Sequence, residues 1–574
     1  MKAASVLVAL ALLGESRGRA DTLDLANHFA NADAPQQPLT ALPAPPQMEV
    51  RPLMEHGPSE NRVDLMFFSD GYLPTEKAQF FADAEMLAQG LVAGNKTYNS
   101  VAPLLNMWAA FTPSGESGIG WGGVPKNTTY GLYRDGTELR AVYVGKPEVN
   151  VAACKSLGAR CDYPIIVGNS PLYGGLESRH NEGATTITNS PANGVLVLRH
   201  ELGHSIPDVG EEYDGGGDDG YYGANTHAKD GGEVTWAHWL DDLHDGSLDG
   251  GDLDLDRAAL DPQRAALHPQ RASLHPQRAA LHPQRATMPL QAYPWTLLNT
   301  AAPWSATFVS SGAYARALVR FSLSGIPEAA DARVLLDGRD LDWTPEAGIG
   351  KDRWHYDLHV DGLEGGEHSV SFELLSQGRE GEAQLCNVEV LEFGDEDEFD
   401  ARPGVYGLFP TFGSDNVTRY RPTNEDCLMR LVTAPGFCNV CLESLWLTLL
   451  ARVDLIDGVD EVCSTRATDE ACSRNVADGQ DAEQNTPERS QHTLSVRLIS
   501  LGQLRGEDIG VKERYSVVWS KDGVPLNELT DEMTVAVGED ERWTVDVTYL
   551  TEEVRKDEDG RTQASRTVKT SRCS

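Results

Sequence analysis

Val195-Leu196-Val197-Leu198-Arg199-His200-Glu201-Leu202-Gly203-His204 decides how the rest of the chain is read. It opens apolar enough to be buried, then places two histidines four residues apart. Positions i and i+4 share one face of a helix, so both imidazoles reach a single ion. Glu201 sits where it approaches the remaining coordination position, taking a proton from the attacking water and returning it to the leaving amine. The spacing predicts a helix over 194–205, Zn2+ on His200 and His204, and Glu201 as general base and then acid.

Such a zinc usually takes three protein ligands. A helical neighbour does not supply the third, because the chain turns within Pro207–Gly210. In an H-E-x-x-H-x-x-G-x-x-H pattern the last ligand falls at position 210, which is a glycine here. Glu211 and Glu212 follow the turn at once and are the natural candidates. Asp208 reads as a turn residue, and His227 and His238 stay open as more distant ligands.

Working outward, the strand Val63–Phe68 precedes the turn Ser69-Asp70-Gly71-Tyr72 and a helix over about Thr75–Val92. Further strands are predicted at Met107–Thr112, Ala141–Val144, Ile165–Val167 and Thr185–Thr188. The alternation implies an α/β or α+β core. Thr185–Thr188 is a candidate edge strand for holding an extended peptide by strand addition. From about Arg316 the pattern becomes short alternating strands, Ala317–Leu323, Arg333–Leu336, Trp354–His359 and Ser369–Leu374, the signature of a β-sandwich. A second such region runs from Thr493 to the end, beyond a polar, acidic stretch at Thr465–Ser490.

Residues 257–286 repeat Ala-Leu-His-Pro-Gln-Arg-Ala with small variations. The seven-residue period suggests a coiled coil, but a proline in every repeat rules it out. An extended insertion is expected.

The chain has 574 residues and a formal net charge of -39, too long for one core and too acidic for a nucleic-acid surface. No mature apolar run reaches the roughly 20 residues of a membrane span. Met1-Lys2, the apolar Ala3–Leu13 and small residues up to Ala20 read as a secretory signal peptide. N-x-S/T sequons at Asn95, Asn127 and Asn416 fit that route to a secreted, extracellular glycoprotein. Acidic stretches at Asp214–Asp219 and Asp245–Asp256 offer oxygen ligands suited to Ca2+, although most acidic loops are simply solvated. Of nine cysteines, Cys154 and Cys161 are placed to pair. Cys438-x-x-Cys441 without a second pair is weak evidence for a metal knuckle, and a disulfide with Cys427 or a neighbour is preferred.

His200–Tyr213, reading H-E-L-G-H-S-I-P-D-V-G-E-E-Y, resembles the signature of the IgA-specific metallopeptidase family, H-E-x-x-H followed closely by an acidic pair and Tyr. The likeness extends to Asp70-Gly71-Tyr72, Cys161-Asp162-Tyr163 before Ile165–Val167, the Gly174-Gly175 turn, Tyr406–Phe409, Tyr420–Pro422, Cys427–Arg430 and Phe437–Cys441. Together these cover roughly residues 60–455. The pair is Glu-Glu where Asp-Glu is commoner, and Glu212 is favoured slightly over Glu211 as the third ligand. The resemblance implies that Met429 forms a methionine turn beneath the metal, the bland alternative being an ordinary core methionine. Tyr213 either contacts the transition state or packs on the helix.

The resulting expectation is an α+β zincin/metzincin-like catalytic domain with β-sandwich domains. Its parts are a signal peptide (1–20), a linker (21–60), a zinc peptidase domain (61–309), an inserted sandwich (310–395), the end of the peptidase domain (396–456), an acidic linker (457–490) and a C-terminal sandwich (491–574). The expected activity is that of a secreted zinc metalloendopeptidase on a protein or peptide substrate. The rival is a catalytically silent adhesion or carbohydrate-binding protein, against which the intact Glu201 argues.

Overall fold

Every residue of Val63–Asp70 is buried, as a strand covered on both faces requires. Its alternate side chains build two cores. Leu65 and Phe67 join one apolar cluster, Met66 and Phe68 the other. In the computed structural model, which describes residues 42–94, 97–228, 232–240, 283–415, 417–464 and 491–572, this strand is the second of six in one sheet. They are β1 (Glu49–Met54), β2 (Val63–Asp70), β3 (Leu105–Phe111), β4 (Tyr163–Gly168), β5 (Gly175–Leu176) and β6 (Thr185–Thr188), in the order β1-β3-β2-β4-β6-β5. The inner strands β3, β2, β4 and β6 run parallel, and β1 and β5 close the two ends antiparallel.

Helices α1 (Lys77–Val92) and α3 (Gly194–Ser205) pack on the Leu65–Phe67 face, and α2 (Pro147–Leu157) on the other. A disulfide between Cys154 and Cys161 ties α2 to the approach of β4. Two expectations need correcting. Thr185–Thr188 is not an edge: it is buried throughout and flanked by β4 and β5. Even the outer side of β5 is partly taken, since Gly175 N donates to Arg140 O. Ala141–Val144 forms only an isolated bridge, Tyr133 to Tyr143, because the Val142 carbonyl accepts from the Asn181 and Thr186 side chains instead.

Two facing sheets form the first sandwich around Phe308, Phe321, Val334, Phe372 and Val388. It begins earlier than 310, because Ala286–Ala292 and Trp304–Ser310 supply strands, and it ends with Gln384–Phe393. The chain then returns to the first core through α4 (Asn439–Leu450).

Two further sheets follow, and here the expected linker starts too early. Ile456–Ser464 is a strand paired with Gln491–Leu498. These sheets share the main apolar core: Trp446 of α4 packs on Tyr549 and donates to Glu553, and Arg62 pairs with Asp457 at 2.7 Å. No helix among the described residues is long and apolar enough to cross a membrane. The signal-peptide stretch, the proline-containing repeats up to 282, residues 465–490, Asn95 and Asn416 lie outside the described residues.

Candidate metal centre

Helix α3 is fixed at its N-terminus by Asp352 of the first sandwich. Asp352 accepts from Ser190 Oγ at 2.6 Å and from Asn193 Nδ2 at 2.8 Å, and Asn193 also donates to the Arg353 carbonyl. Asn193 is the residue from which α3 starts. Asp352 further accepts from the Tyr173 amide, so the sandwich grips both the helix and the loop leading into β5.

One turn apart on α3, His200 and His204 bring their Nε2 atoms within 3.3 Å of each other. Glu211 completes a triangle, with Oε2 3.3 Å from His200 Nε2 and Oε1 3.1 Å from His204 Nε2. Tetrahedral coordination with bonds of about 2.0–2.1 Å sets donor–donor edges of about 3.3–3.4 Å. The His–His edge and the approach of one carboxylate oxygen to each imidazole therefore suit a bound metal ion. Each imidazole has its other nitrogen engaged: His200 Nδ1 lies 3.1 Å from the Leu428 carbonyl and His204 Nδ1 2.7 Å from the Val209 carbonyl. These acceptors place the proton on Nδ1 and leave Nε2 free to ligate. Glu211 Oε2 is buried with no hydrogen-bond partner, an orphan that a cation satisfies. Two imidazoles and a carboxylate are a donor set for a catalytic zinc.

The charges are mutually dependent. Burial alone raises a carboxyl pKa and lowers an imidazole's. The two histidines overcome burial at Glu211 and hold it well below the carboxylate range. Glu211 in turn overcomes burial at His204, raised to about 9, and raises His200 as well. Glu201 answers mainly to burial, which pushes it up to about 7 against the pull of both histidines. Its side chain runs beside β5: a Cβ on Gly175 would sit 3.1 Å from Glu201 Cγ and 2.6 Å from Val197 Cγ1. The glycine lets the last strand lie against the helix.

The two adjacent glutamates part company. Glu211 N donates to Gly220 O and Glu212 N to Met429 O, so the chain is extended here and the side chains leave on opposite sides. Glu212, the slightly favoured ligand, therefore faces away from the histidines, toward Cys441 and Asn225. Asp208 is the turn residue expected, with φ 57°. His227 lies in a short strand against Tyr420 and His238 against Glu443, neither beside the triangle. Tyr213 stacks on His200 at 6.1 Å and donates to Glu211 Oε1. Met429 is fully buried beneath the helix, where a Cβ on Gly203 would sit 2.7 Å from its Sδ.

Of the two acidic stretches read for calcium, Asp245–Asp256 lies outside the described residues; in the other, Asp214 pairs with buried Arg430 at 2.6 Å and Asp218 with Arg419. Both carboxylates are matched by arginine. The cysteines do not form the preferred disulfide either: Cys427, Cys438 and Cys441 are all free and buried. Sequence reasoning missed Tyr222, whose Oη lies 3.2 Å from His204 Nδ1, and Asp352, which no spacing rule connects to a helix some 160 residues away.

Residues 51–234 match the family described as IgA Peptidase M64. No curated protein matches the chain. Among solved structures, similarity is found to the ANXUR2 extracellular domain from Arabidopsis thaliana (14% identity, 16% of this chain and 29% of that one, TM-score 0.13). It is also found to a ruminal GH26 endo-beta-1,4-mannanase (18%, 19% and 23%, 0.14) and to CBM35 from Paenibacillus barcinonensis (11%, 18% and 91%, 0.12). The chain thus spans less than a third of the first of these, and at such TM-scores none of them bears on the fold. The family match covers β2 to β6, α3 and all three corners of the donor triangle. That region is therefore similar to the IgA peptidase M64 family, which supports a metallopeptidase reading of it.

Proposed function

We propose that the protein is a secreted zinc metalloendopeptidase, with His200, His204 and Glu211 as the metal ligands and Glu201 as the proton carrier. The observation that carries this reading is the convergence of His200, His204 and Glu211, whose ligand atoms approach to 3.1–3.3 Å, with Glu201 next to the first histidine in the chain. Zinc held there supplies Lewis acidity toward the scissile carbonyl and toward water. The protein's own part is to move protons and hold position. Glu201 removes a proton from water as its oxygen bonds to the carbonyl carbon, then delivers that proton to the amine as the C–N bond breaks. Tyr213, hydrogen-bonded to Glu211 and stacked on His200, steadies the ligand. A zincin-like reading of the sheet and α3 fits this arrangement, with Met429 under the helix as its floor. Secretion is part of the proposal, supported by the leader-like 1–20 and the Cys154–Cys161 disulfide.

The test is zinc content and cleavage of a mixed peptide library by wild type and Glu201→Ala. Zinc in both with cleavage by wild type alone, a loss of at least about 10²-fold for a positioned acid–base group, is expected. Equal cleavage by the variant, or a folded wild type without zinc, overturns the mechanism.

A further inference from the structure

Directly behind the triangle lies a second set of convergent ligand atoms. Glu212, Cys427, Cys438 and Cys441 each offer one atom, all four within 4.8 Å of one another, and all four residues are buried. Cys427 Sγ is 3.6 Å from Cys441 Sγ, and Cys441 Sγ is 3.4 Å from Glu212 Oε1. A tetrahedral zinc with bonds of about 2.3 Å to sulfur and about 2.1 Å to oxygen sets edges of about 3.8 and 3.6 Å. These sulfurs stand as separate ligands do. Cys154 and Cys161, by contrast, are bonded in the same structure. Glu212 Oε1 accepts from Asn225 Nδ2 at 3.0 Å, but Oε2 is buried without a partner. Three packed thiols alone would be unremarkable, since free cysteine is commonly buried. A carboxylate aimed among them with an unpaired oxygen is costly unless a cation joins the group.

We propose that Glu212, Cys427, Cys438 and Cys441 bind a second, structural zinc ion. Thiolates select zinc over the hard cations, and a closed four-ligand shell leaves no open position, as structural sites require. Binding displaces the thiol protons to solvent. The ion clips three segments: the extended segment leaving the first site at Glu212, the turn Cys427–Met429, and the start of α4, where Cys438 is the N-cap and Cys441 lies in the first turn. Leu428 within that turn supplies the carbonyl that orients His200, and Met429 lies under Gly203. The second ion thus holds the floor of the first site while touching none of its ligands.

The experiment is elemental analysis and cobalt substitution of the full chain purified without reductant. Wild type is expected to hold about two zinc ions. His200→Ala/His204→Ala, which leaves the cysteines untouched, is expected to hold about one and to keep the near-ultraviolet thiolate-to-cobalt charge-transfer band. Cys438→Ser/Cys441→Ser is expected to lose that band. A histidine variant that folds without metal or band overturns the proposal, as does a disulfide among Cys427, Cys438 and Cys441 on peptide mapping. If the cysteine variant does not fold, the histidine variant still decides. A wild type with one zinc that survives histidine replacement would refute the first site and leave this one standing.

Discussion

Glu211 and Glu212 are the same residue type, adjacent and enclosed, yet their environments drive them in opposite directions. Glu211 faces two imidazoles and stays ionised far below the usual carboxylate range. Glu212 faces thiols and one amide, and its burial pushes it up to about 8 when no ion is present. The difference lies in an extended backbone that sends alternate side chains to opposite sides, so that one two-residue step serves two separate clusters.

The largest expected effect separates them by function. Glu211→Gln should lower zinc affinity at the histidine site by more than the 10–100-fold typical of residues that merely orient a ligand, and cleavage should fall with it. Glu212→Gln should leave that zinc in place and instead lower the unfolding free energy by about 1–3 kcal/mol for a disrupted buried polar group. Zinc titration and urea unfolding of both variants read the two outcomes. If both lost zinc from the histidine site to the same degree, the division of labour would be wrong.

Next in size is Gly203→Ala, which strikes the wall shared by the two clusters. The new methyl would lie 2.7 Å from Met429 Sδ and 3.1 Å from Phe437 Cε1. Overpacking of this kind costs about 1–3 kcal/mol. Since Met429 belongs to the turn whose Leu428 carbonyl holds His200, the variant should weaken both zinc sites together. Unaltered stability and metal content would mean that the Met429 side chain simply swings aside.

How much of this was legible follows from how local each feature is. His200, Glu201 and His204 lie within one turn of α3, so the helix that joins them is legible from local spacing. The choice between Glu211 and Glu212 depends on which way an extended loop segment faces, and that is set by Gly220 and Met429, partners distant in sequence or without a spacing rule. The sheet's helices and inner strands carried apolar patterns, whereas β5 is a two-residue strand with no pattern to read, which is why Thr185–Thr188 passed for an edge. The cysteine cluster drew its fourth member from a glutamate some two hundred residues away, so a lone C-x-x-C pointed to a disulfide.

Acid titration probes how the cysteine side is anchored. Glu425, two residues before Cys427, is held at about 2: burial would raise it, but Arg320 from the first sandwich, with Arg430 and Arg421, lowers it. Its folded pKa lies below the unfolded value of about 4.3. The stabilisation is therefore complete above about 4.3 and lost as pH falls toward about 2. Glu425→Gln should flatten the stability profile in that window and leave the profile above pH 5 with the same slope. An unchanged profile would show that the sandwich does not anchor the Cys427–Met429 turn through this pair.

The smallest effect tests how closely the histidine side is fixed. Tyr222 Oη lies 3.2 Å from His204 Nδ1, but Val209 O is nearer at 2.7 Å. The carbonyl already sets the proton on Nδ1, so the hydroxyl is an auxiliary contact. Tyr222→Phe should cost at most about 0.5–1.5 kcal/mol, the net worth of one hydrogen bond, and should change cleavage by no more than about tenfold. A loss of zinc in this variant would make Tyr222, rather than Val209, the group that orients His204. The asymmetry between a side of the strand tuned by backbone carbonyls and a side closed by sulfur would then need a different physical basis.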